Sequence, residues 1–443
     1  MGSIKDIQTN TNAICNKDIN AIHEISGVTG TSEIPGSRDI YVIKGGVCAP
    51  KGLLAAATYC GVRKNKNKKD LALIYSQVPC KAVALYTRNK VKAAPIQVTM
   101  EHLKDGKAQA IIVNSGNANA CAPKGHENAL RMAEAASKAL CIDCKDVIVA
   151  STGVIGVPLD IDAIEAGVPV LAKALSADGG SDAAEAIMTT DTCKKEYAVA
   201  FELGGKTVRI GGASKGSGMI HPNMATTLNF ITTDVNIDRE LLEKAWRYCV
   251  NRSFNRISVD GDTSTNDMAC VLANGMAGNA KFCEGSEEYE IFVEALLKVC
   301  VYLAKELARD GEGASRLISC TVKNAASEEK AETMAKAVIA SSLTKAAMSG
   351  GDANWGRVLC AMGYSGADFD YEKTDVWFRS EVGEILVCQN GQGLEFDEET
   401  AAKILSADEV EIHADIKEGE AWATAWGCDL TCEYVRINGS YRT

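Results

Sequence analysis

The hydrophobic positions of the chain fall into two patterns, short β-branched runs and longer segments with a helical period. The runs LALIYS, AQAIIVNSG and DVIVAS predict strands, and AVAFEL and KTVRIGG, separated by Gly204 and Gly205, predict a hairpin. Because these strands alternate irregularly with helices, we expect a mixed sheet rather than a strict series of β-α-β units.

Two amphipathic helices are the clearest elements of the pattern. The segment IDRELLEKAWRYCV repeats its apolar residues at a helical period, with Asp238 as the predicted N-cap. A second helix is predicted over EIFVEALLKVCVYLAKELARDG, with Gly311 as its C-cap. Both helices should pack one face against a sheet.

The pattern divides the chain into three predicted regions. Residues 1–38 are polar and end in IPGS, which predicts a loosely attached extension. Residues 39–318 predict a catalytic α+β region, and residues 319–443 predict a smaller α+β domain. In that domain CTVKN, VWFRS, EILVCQ, VEIHADI and CEYVRI are the predicted strands and SEEKAETMAKAVIAS is the predicted helix. The predicted fold class is α+β, with layered sheets flanked by helices.

The charge of the chain limits the kinds of partner that we expect, and its cysteines indicate the compartment. The 58 acidic residues outnumber the 47 basic ones, which argues against nucleic acid or anionic lipid as the partner. The basic cluster RKNKNKK, residues 63–69, predicts a solvated hairpin loop. No run of about 18 apolar residues predicts a membrane span. The 17 cysteines are scattered through apolar segments and the N-terminus has no targeting pattern, so we expect reduced thiols and a cytoplasmic protein.

Several familiar motifs fail on spacing. GGKT, residues 204–207, lacks the first glycine of a phosphate-binding loop. DGDTSTND, residues 260–267, has Thr265 where a calcium loop needs glycine, so a turn held by side-chain hydrogen bonds is favoured. Cys141 and Cys144 form a C-x-x-C pair, but unrelated thiols are favoured over a zinc site. We therefore expect no metal.

The segment KGSGMIHPNMATTLNF leads from a glycine loop into a β-branched run. A threonine hydroxyl is a poor nucleophile unless a base lies beside it, and the α-amine of an N-terminal residue, with a pKa of about 7.7–8.0, can be that base. Thr226 would gain such an amine if its hydroxyl attacked the Ala225 carbonyl and the ester that forms were hydrolysed. The local pattern alone favours a simpler alternative, a buried strand after a glycine loop.

Motifs along most of the chain resemble those of one enzyme family. They begin with GGVCAPKG at Gly45 and end with NGSYRT, and they include KVKAAPIQV, IIVNSGNANAC, ASTGVIG, MTTDT, KGSGMIHPNMATTLNF, SFNRISVDGDTSTND, DGEGAS and DANWGRVLCAMGYSG. Together they resemble the ornithine acetyltransferase family, the glutamate N-acetyltransferases of arginine biosynthesis. The resemblance implies an N-terminal-nucleophile-like large domain.

The resemblance also implies self-cleavage. The cut would fall between Ala225 and Thr226 and give an α chain of residues 1–225 and a β chain of residues 226–443. Two hydrogen-bond donors, the Thr152 hydroxyl and the Gly153 backbone N–H, would form the oxyanion site. The two chains would then assemble as a heterotetramer or a larger particle.

The resemblance further implies a set of substrate contacts. Lys215 suits a substrate carboxylate, and Glu312 suits the amine of ornithine, although a structural role at a helix end is the alternative for Glu312. The implied contacts are Thr189, Lys215, Thr226, Glu312, Asn438 and Thr443.

The implied reaction moves an acetyl group from N²-acetylornithine to glutamate through an ester on Thr226. It needs no metal or organic cofactor, because one activated hydroxyl and an oxyanion site suffice. Acetyl-CoA serves as an additional donor in bifunctional members of the family. The alternatives are an N-terminal-nucleophile aminopeptidase or amidase, in which water resolves the acyl enzyme, and an uncleaved binding protein.

Overall fold

Two mixed sheets carry most of the fold. The computed structural model describes residues 39–221 and 227–440, and the described residues from Ile40 onward belong to one compact unit. The predicted extension, residues 1–38, lies outside the described residues. With the strands numbered along the chain, the nine-stranded sheet has the order β1-β6-β7-β8-β10-β3-β4-β5, with β2 paired to β3, and the seven-stranded sheet has the order β14-β13-β12-β15-β11-β16-β9.

The strands have the following bounds: β1 Tyr41–Ile43, β2 Leu53–Thr58, β3 Leu71–Tyr86, β4 Lys107–Asn117, β5 Val147–Val154, β6 Lys195–Leu203, β7 Lys206–Lys215, β8 Leu228–Thr233, β9 Ile257–Ser258, β10 Met268–Ala273, β11 Leu317–Ala325, β12 Asp375–Ser380, β13 Gly383–Gln389, β14 Gln392–Gly393, β15 Glu409–Asp415 and β16 Ala421–Cys428.

The helices have the following bounds: α1 Ala94–His102, α2 Gly125–Leu140, α3 Ile161–Ala174, α4 Gly180–Ala186, α5 Arg239–Asn251, α6 Glu287–Arg309, α7 Glu328–Ala340, α8 Ser342–Gly350, α9 Trp355–Gly363, α10 Glu398–Leu405 and α11 Cys432–Gly439. Short 3-10 helices occupy Gly46–Cys48, Leu103–Asp105, Cys144–Asp146, Phe254–Arg256 and Tyr371–Lys373.

The central strands of the large sheet are buried. Every residue of β8 and β10 is buried, and the two strands run parallel as neighbours. Helices α5 and α6 cover one face, with Trp246 and Phe292 fully buried in that layer. In the second sheet, α7 packs against β11 and β16. The start of β8, which follows the predicted cleavage site in the sequence, is therefore buried.

The predicted architecture is confirmed in its main features. The fold is α+β with mixed sheets, and β6 and β7 form the predicted hairpin around Gly204 and Gly205. Both predicted helices are present as α5 and α6. The boundary near residue 318 stays a prediction.

The predicted end of α6 is wrong by one residue. The helix ends with Asp310 at the C-cap, and Gly311 follows it. The reason is electrostatic, since the Asp310 carboxylate is held at this position by an ion pair with buried Lys195 and by the backbone N–H of Thr192. A left-handed glycine is not needed to end the helix there.

The prediction of a strand at CEYVRI is also wrong, because this segment forms α11. Thr431 caps the helix by accepting a hydrogen bond from the backbone N–H of Glu433. Tyr434 and Asn438, one helical turn apart, both reach carboxylates on neighbouring loops. Its apolar residues, Cys432, Tyr434, Val435 and Ile437, do not alternate strictly, and six positions are too short a signal to separate strand from helix. The strand β16, from the sequence AWATAWGC, was not predicted.

The cysteines among the described residues are all free thiols. Eight are buried and five are exposed, so the expectation of core cysteines holds only for part of the set. Cys141 of the C-x-x-C pair is exposed. Within residues 39–221 and 227–440, no group of three or more His, Cys, Asp or Glu side chains is arranged to hold a metal ion. No helix in these ranges has the length and apolar character of a membrane span.

Candidate active site

The predicted oxyanion residues lie where two parallel strands lose register. Ser115 and Asn117 of β4 both pair with Thr152 of β5, which marks a bulge at Gly116. Gly153 has φ 133°, and a Cβ atom there would lie 2.5 Å from the backbone nitrogen of Asn117. Only glycine fits this backbone. The bulge thus fixes Thr152 and Gly153 side by side at the end of a buried strand.

A network of buried amide side chains holds this strand end in place. The Ser151 hydroxyl donates to Asn114 Oδ1 at 2.5 Å, and Asn266 Nδ2 donates to the carbonyls of Ser151 at 2.9 Å and Ala118 at 2.6 Å. Asn114 and Asn266 are both buried. Since buried amides fully bonded in this way have few alternative positions, the network makes the oxyanion candidate rigid.

Lys215 lies at the end of β7, directly opposite Leu228, the first residue of β8. Burial lowers the pKa of Lys215, and nearby Lys195 lowers it further, while Asp191 opposes both. The ammonium group is therefore a partly desolvated cation on the residue that pairs with the start of β8.

A buried ion triad joins the loops that carry the predicted substrate contacts. Lys195, fully buried, pairs with Asp191 at 2.7 Å and Asp310 at 2.6 Å. Burial would raise the pKa of Asp191 and lower that of Lys195, but their mutual attraction and the neighbouring charges reverse both shifts. Asp191 also accepts the backbone N–H groups of Thr189 and Gly216, both at contact distances of 2.9 Å or less. Thr189 and the loop after Lys215 are thereby tied to one carboxylate.

Glu312 and Asn438 are brought together by the same set of loops. Asn438 Nδ2 donates to Glu312 Oε2 at 2.7 Å, and the Glu312 backbone N–H donates to the Ser217 carbonyl at 2.8 Å. A Cβ atom on Gly218 would lie 2.7 Å from Glu312 Oε1. Glycine at residue 218 therefore leaves room for the buried Glu312 carboxylate beside the glycine loop.

Three of the predicted site residues lie outside the described residues. They are Ala225 and Thr226, on either side of the proposed cut, and the predicted substrate contact Thr443. The next residue, Thr227, has φ 143°, and its hydroxyl accepts a hydrogen bond from Asn229 Nδ2 at 2.6 Å. The Thr227 hydroxyl is thus bonded within the fold, and Thr226 stays the predicted nucleophile.

The sequence predicts the basic loop but not the buried ion triad. Asp191 lies inside the motif MTTDT and Asp310 inside DGEG, but the sequence offers no sign that they share Lys195. The predicted solvated hairpin loop at residues 63–69 is confirmed, because it joins the antiparallel strands β2 and β3 and residues 64–68 are exposed. Arg63 is half-buried, and its guanidinium donates to the Met188 carbonyl. Buried Asp70 holds this side of the loop by accepting the backbone N–H groups of Cys60, Gly61 and Arg63.

Loss of the triad lysine is expected to destabilise the protein severely. Lys195→Met would leave two buried carboxylates unpaired, which should lower the free energy of unfolding by about 3–5 kcal/mol. Equilibrium denaturation in urea measures this change. Lys194→Met, at the exposed neighbouring position, is the control and should change it by under about 1 kcal/mol. Equal stability of the two variants would show that the triad contributes nothing.

These features define an α+β protein in which Lys215 and Glu312 lie beside the glycine loop that follows β7, while Thr152 and Gly153 lie at the bulge between β4 and β5. The chain belongs to the ArgJ family, whose model matches residues 54–443. This confirms the family predicted from the motifs.

Individual relatives are similar over nearly their whole length. The arginine biosynthesis bifunctional protein ArgJ of Symbiobacterium thermophilum is 53% identical over 90% of this chain and 99% of its own. The protein of the same name from Caldanaerobacter subterraneus is 51% identical over 91% of this chain and 100% of its own. A crystal structure of arginine biosynthesis bifunctional protein ArgJ from Bacillus halodurans is similar over 48% of this chain and 98% of its own, with 44% identity and a TM-score of 0.46.

Proposed function

We propose that this protein is a glutamate N-acetyltransferase of arginine biosynthesis that moves an acetyl group from N²-acetylornithine to glutamate. Its membership of the ArgJ family over residues 54–443 supports the pathway. The observation that carries the chemistry is the opposite charge of Lys215 and Glu312 on either side of the glycine loop that leads to β8. N²-acetylornithine presents one carboxylate and one free side-chain amine, which these two groups complement.

The first half of the reaction forms an acetyl ester. Thr226 Oγ1 attacks the acetyl carbonyl of N²-acetylornithine while its own α-amine takes the hydroxyl proton. The Thr152 hydroxyl and the Gly153 backbone N–H donate to the oxyanion that develops. The C–N bond then breaks, and the amine proton of Thr226 passes to the departing ornithine nitrogen.

The second half returns the enzyme to its starting state. The α-amine of glutamate attacks the ester carbonyl, the same two donors hold the oxyanion, and the C–O bond to Thr226 breaks. The proton lost by glutamate restores the hydroxyl, and N-acetylglutamate leaves. In this scheme Thr189, Asn438 and Thr443 complete the substrate contacts. Acetyl-CoA would enter as a second donor to the same hydroxyl, and no metal or bound cofactor takes part.

The active form we propose is a self-cleaved protein with an α chain of residues 1–225 and a β chain of residues 226–443. The chains stay together and assemble as a heterotetramer or a larger particle in the cytoplasm. The free thiols of the described cysteines are consistent with a reducing compartment.

Two measurements on the purified protein test the proposal. Intact mass and N-terminal sequencing should give chains of 225 and 218 residues, the second beginning with threonine. Incubation with N²-acetylornithine should produce N-acetylglutamate only when glutamate is present. Release of free acetate at the same rate without glutamate would instead identify an amidase.

A further inference from the structure

One segment of the chain contacts both sides of residues 222–226. This segment, Ser258–Met268, is called the clamp segment below and contains the turn DGDTSTND. The upstream side that it contacts is Met219–His221, and the downstream side is Thr227–Leu228. The proposed self-cleavage lies between these two sides.

On the upstream side the contacts are mostly to the backbone. Asp260 Oδ2 accepts the backbone N–H of Met219 at 2.6 Å, and its Oδ1 accepts that of Ile220 at 2.9 Å. The backbone N–H of Val259 donates to the Ile220 carbonyl at 2.7 Å, and the Thr263 hydroxyl donates to the His221 carbonyl at 2.8 Å. Met219 has φ 55°, a backbone region that non-glycine residues rarely adopt. The clamp segment therefore fixes three successive residues, one of them in an unfavourable conformation.

On the downstream side the clamp segment fixes a second unfavourable residue. The Met268 backbone N–H donates to the Thr227 carbonyl at 2.9 Å, and Met268 pairs with Leu228 in the sheet. Thr227, at φ 143°, is a β-branched residue in a backbone region that favours glycine.

Asp267 lies beside this residue and is only 2% exposed. Burial raises the pKa of the Asp267 carboxyl well above its ordinary value, opposed by Ser264 and by the backbone amide of Thr227. Its Oδ2 atom has no hydrogen-bond partner among the described residues. The carboxyl is thus buried against the first backbone amide that follows residue 226.

The two sides also meet at one glycine. A Cβ atom on Gly216 would lie 2.5 Å from Thr227 Cγ2 and 3.1 Å from Ile220 Cδ1. Both ends of the segment that contains the cleavage site are therefore packed on the same point of the glycine loop. The two unfavourable residues, Met219 and Thr227, thus lie on either side of the proposed cut, and each is held by contacts with fixed neighbours.

We propose that the clamp segment promotes self-cleavage by holding the two flanks of the proposed cut, Met219–His221 and Thr227–Leu228, with Asp260 as the positioning residue of the upstream flank. The inference rests on the proposed function. Attack by a hydroxyl on the preceding carbonyl requires the two atoms to stay within near-attack geometry, and a loop with free ends loses that geometry. The turn DGDTSTND, which fails as a calcium loop, thereby acquires a role.

The test uses Asp260→Asn with Asp262→Asn as its matched control. Asparagine has one acceptor oxygen, so its NH₂ group must face either the Met219 N–H or the Ile220 N–H, which are bonded to different oxygens of Asp260. Asp262 is exposed in the same turn. After cell-free synthesis, the disappearance of the 443-residue chain is followed by intact mass. We expect Asp260→Asn to slow cleavage by about 10–100-fold and Asp262→Asn by less than about twofold.

A second measurement tests the contacts of the clamp segment in a chain that is not cleaved. In full-length protein carrying Thr226→Ala, hydrogen exchange should speed up at the amides of Met219 and Ile220 when Asp260→Asn is added, and the core strands should keep their protection. Adding Asp262→Asn should leave these amides unchanged. A mere folding role would instead speed exchange throughout the protein and would overturn the inference.

The cleavage assay separates this inference from the function on which it rests. If the wild type is cleaved and Asp260→Asn is cleaved at the same rate, the role of the clamp segment is wrong but the proposed function stands. If the wild-type chain stays whole, both the role of the clamp segment and the proposed function are wrong.

Discussion

The Thr226→Ala variant is expected to remain a single 443-residue chain and to lose acetyl transfer by at least about 10³-fold. The physical reason is that one residue supplies both reactive groups in the proposed mechanism. Without the hydroxyl, no ester can form in the cut or in the transfer, and without the cut there is no α-amine to accept the proton. Intact mass measures the first loss, and production of N-acetylglutamate measures the second.

The neighbouring threonine supplies the matched control for this variant. Thr227→Ser keeps the hydroxyl that accepts the hydrogen bond from Asn229, so the chain should still divide and transfer acetyl groups. Thr226→Ser keeps the nucleophile and should also divide. If Thr226→Ala were cleaved at the same bond, or if the whole chain transferred acetyl at the wild-type rate, the assignment of Thr226 would be wrong.

Thr152→Ala is expected to slow both self-cleavage and acetyl transfer by about 10²–10³-fold. Both reactions pass through an oxyanion at a carbonyl attacked by the same hydroxyl, so one missing donor should affect them alike. Thr152 is buried at the bulge between β4 and β5, where solvent cannot easily replace the lost hydroxyl. Single-turnover rates of chain cleavage and steady-state kcat measure the two effects.

The control for this prediction keeps the donor and removes only a methyl group. Thr152→Ser should retain most of both activities, because the serine hydroxyl can still donate. If Thr152→Ala slowed transfer but left cleavage unchanged, the two reactions would not share an oxyanion site. Unchanged rates in both would remove Thr152 from the mechanism.

Local pattern was sufficient to predict the long elements and the mixed sheets. The hairpin at Gly204 and Gly205, and the helices α5 and α6, follow from turn chemistry and apolar period. Local pattern failed to predict the secondary structure of segments that depend on tertiary contacts. The sequence CEYVRI became a helix because its polar side chains reach loops distant in the chain, and α6 ended early because Asp310 is held by Lys195.

The candidate site shows the same division between local and tertiary information. Motif resemblance pointed to Lys215 and Glu312, and the structure places both beside the glycine loop. It did not point to Asp191 or Lys195, because a buried ion pair between loops has no signature in spacing. The roles of the individual site residues stay predictions, and the variants above test them.

The position of the proposed cut within the sheet has a consequence for reassembly. β7 and β8 are hydrogen-bonded neighbours, paired from Ile210 with Thr233 to Lys215 with Leu228, and the cut falls in the connection between them. The α and β chains that result from the cut therefore contribute adjacent strands to the interior of one nine-stranded sheet. After denaturation, the two separate chains must associate by diffusion before the sheet can form again. Renaturation of the mature protein should therefore be second order in protein concentration, whereas the uncut precursor renatures as a unimolecular process.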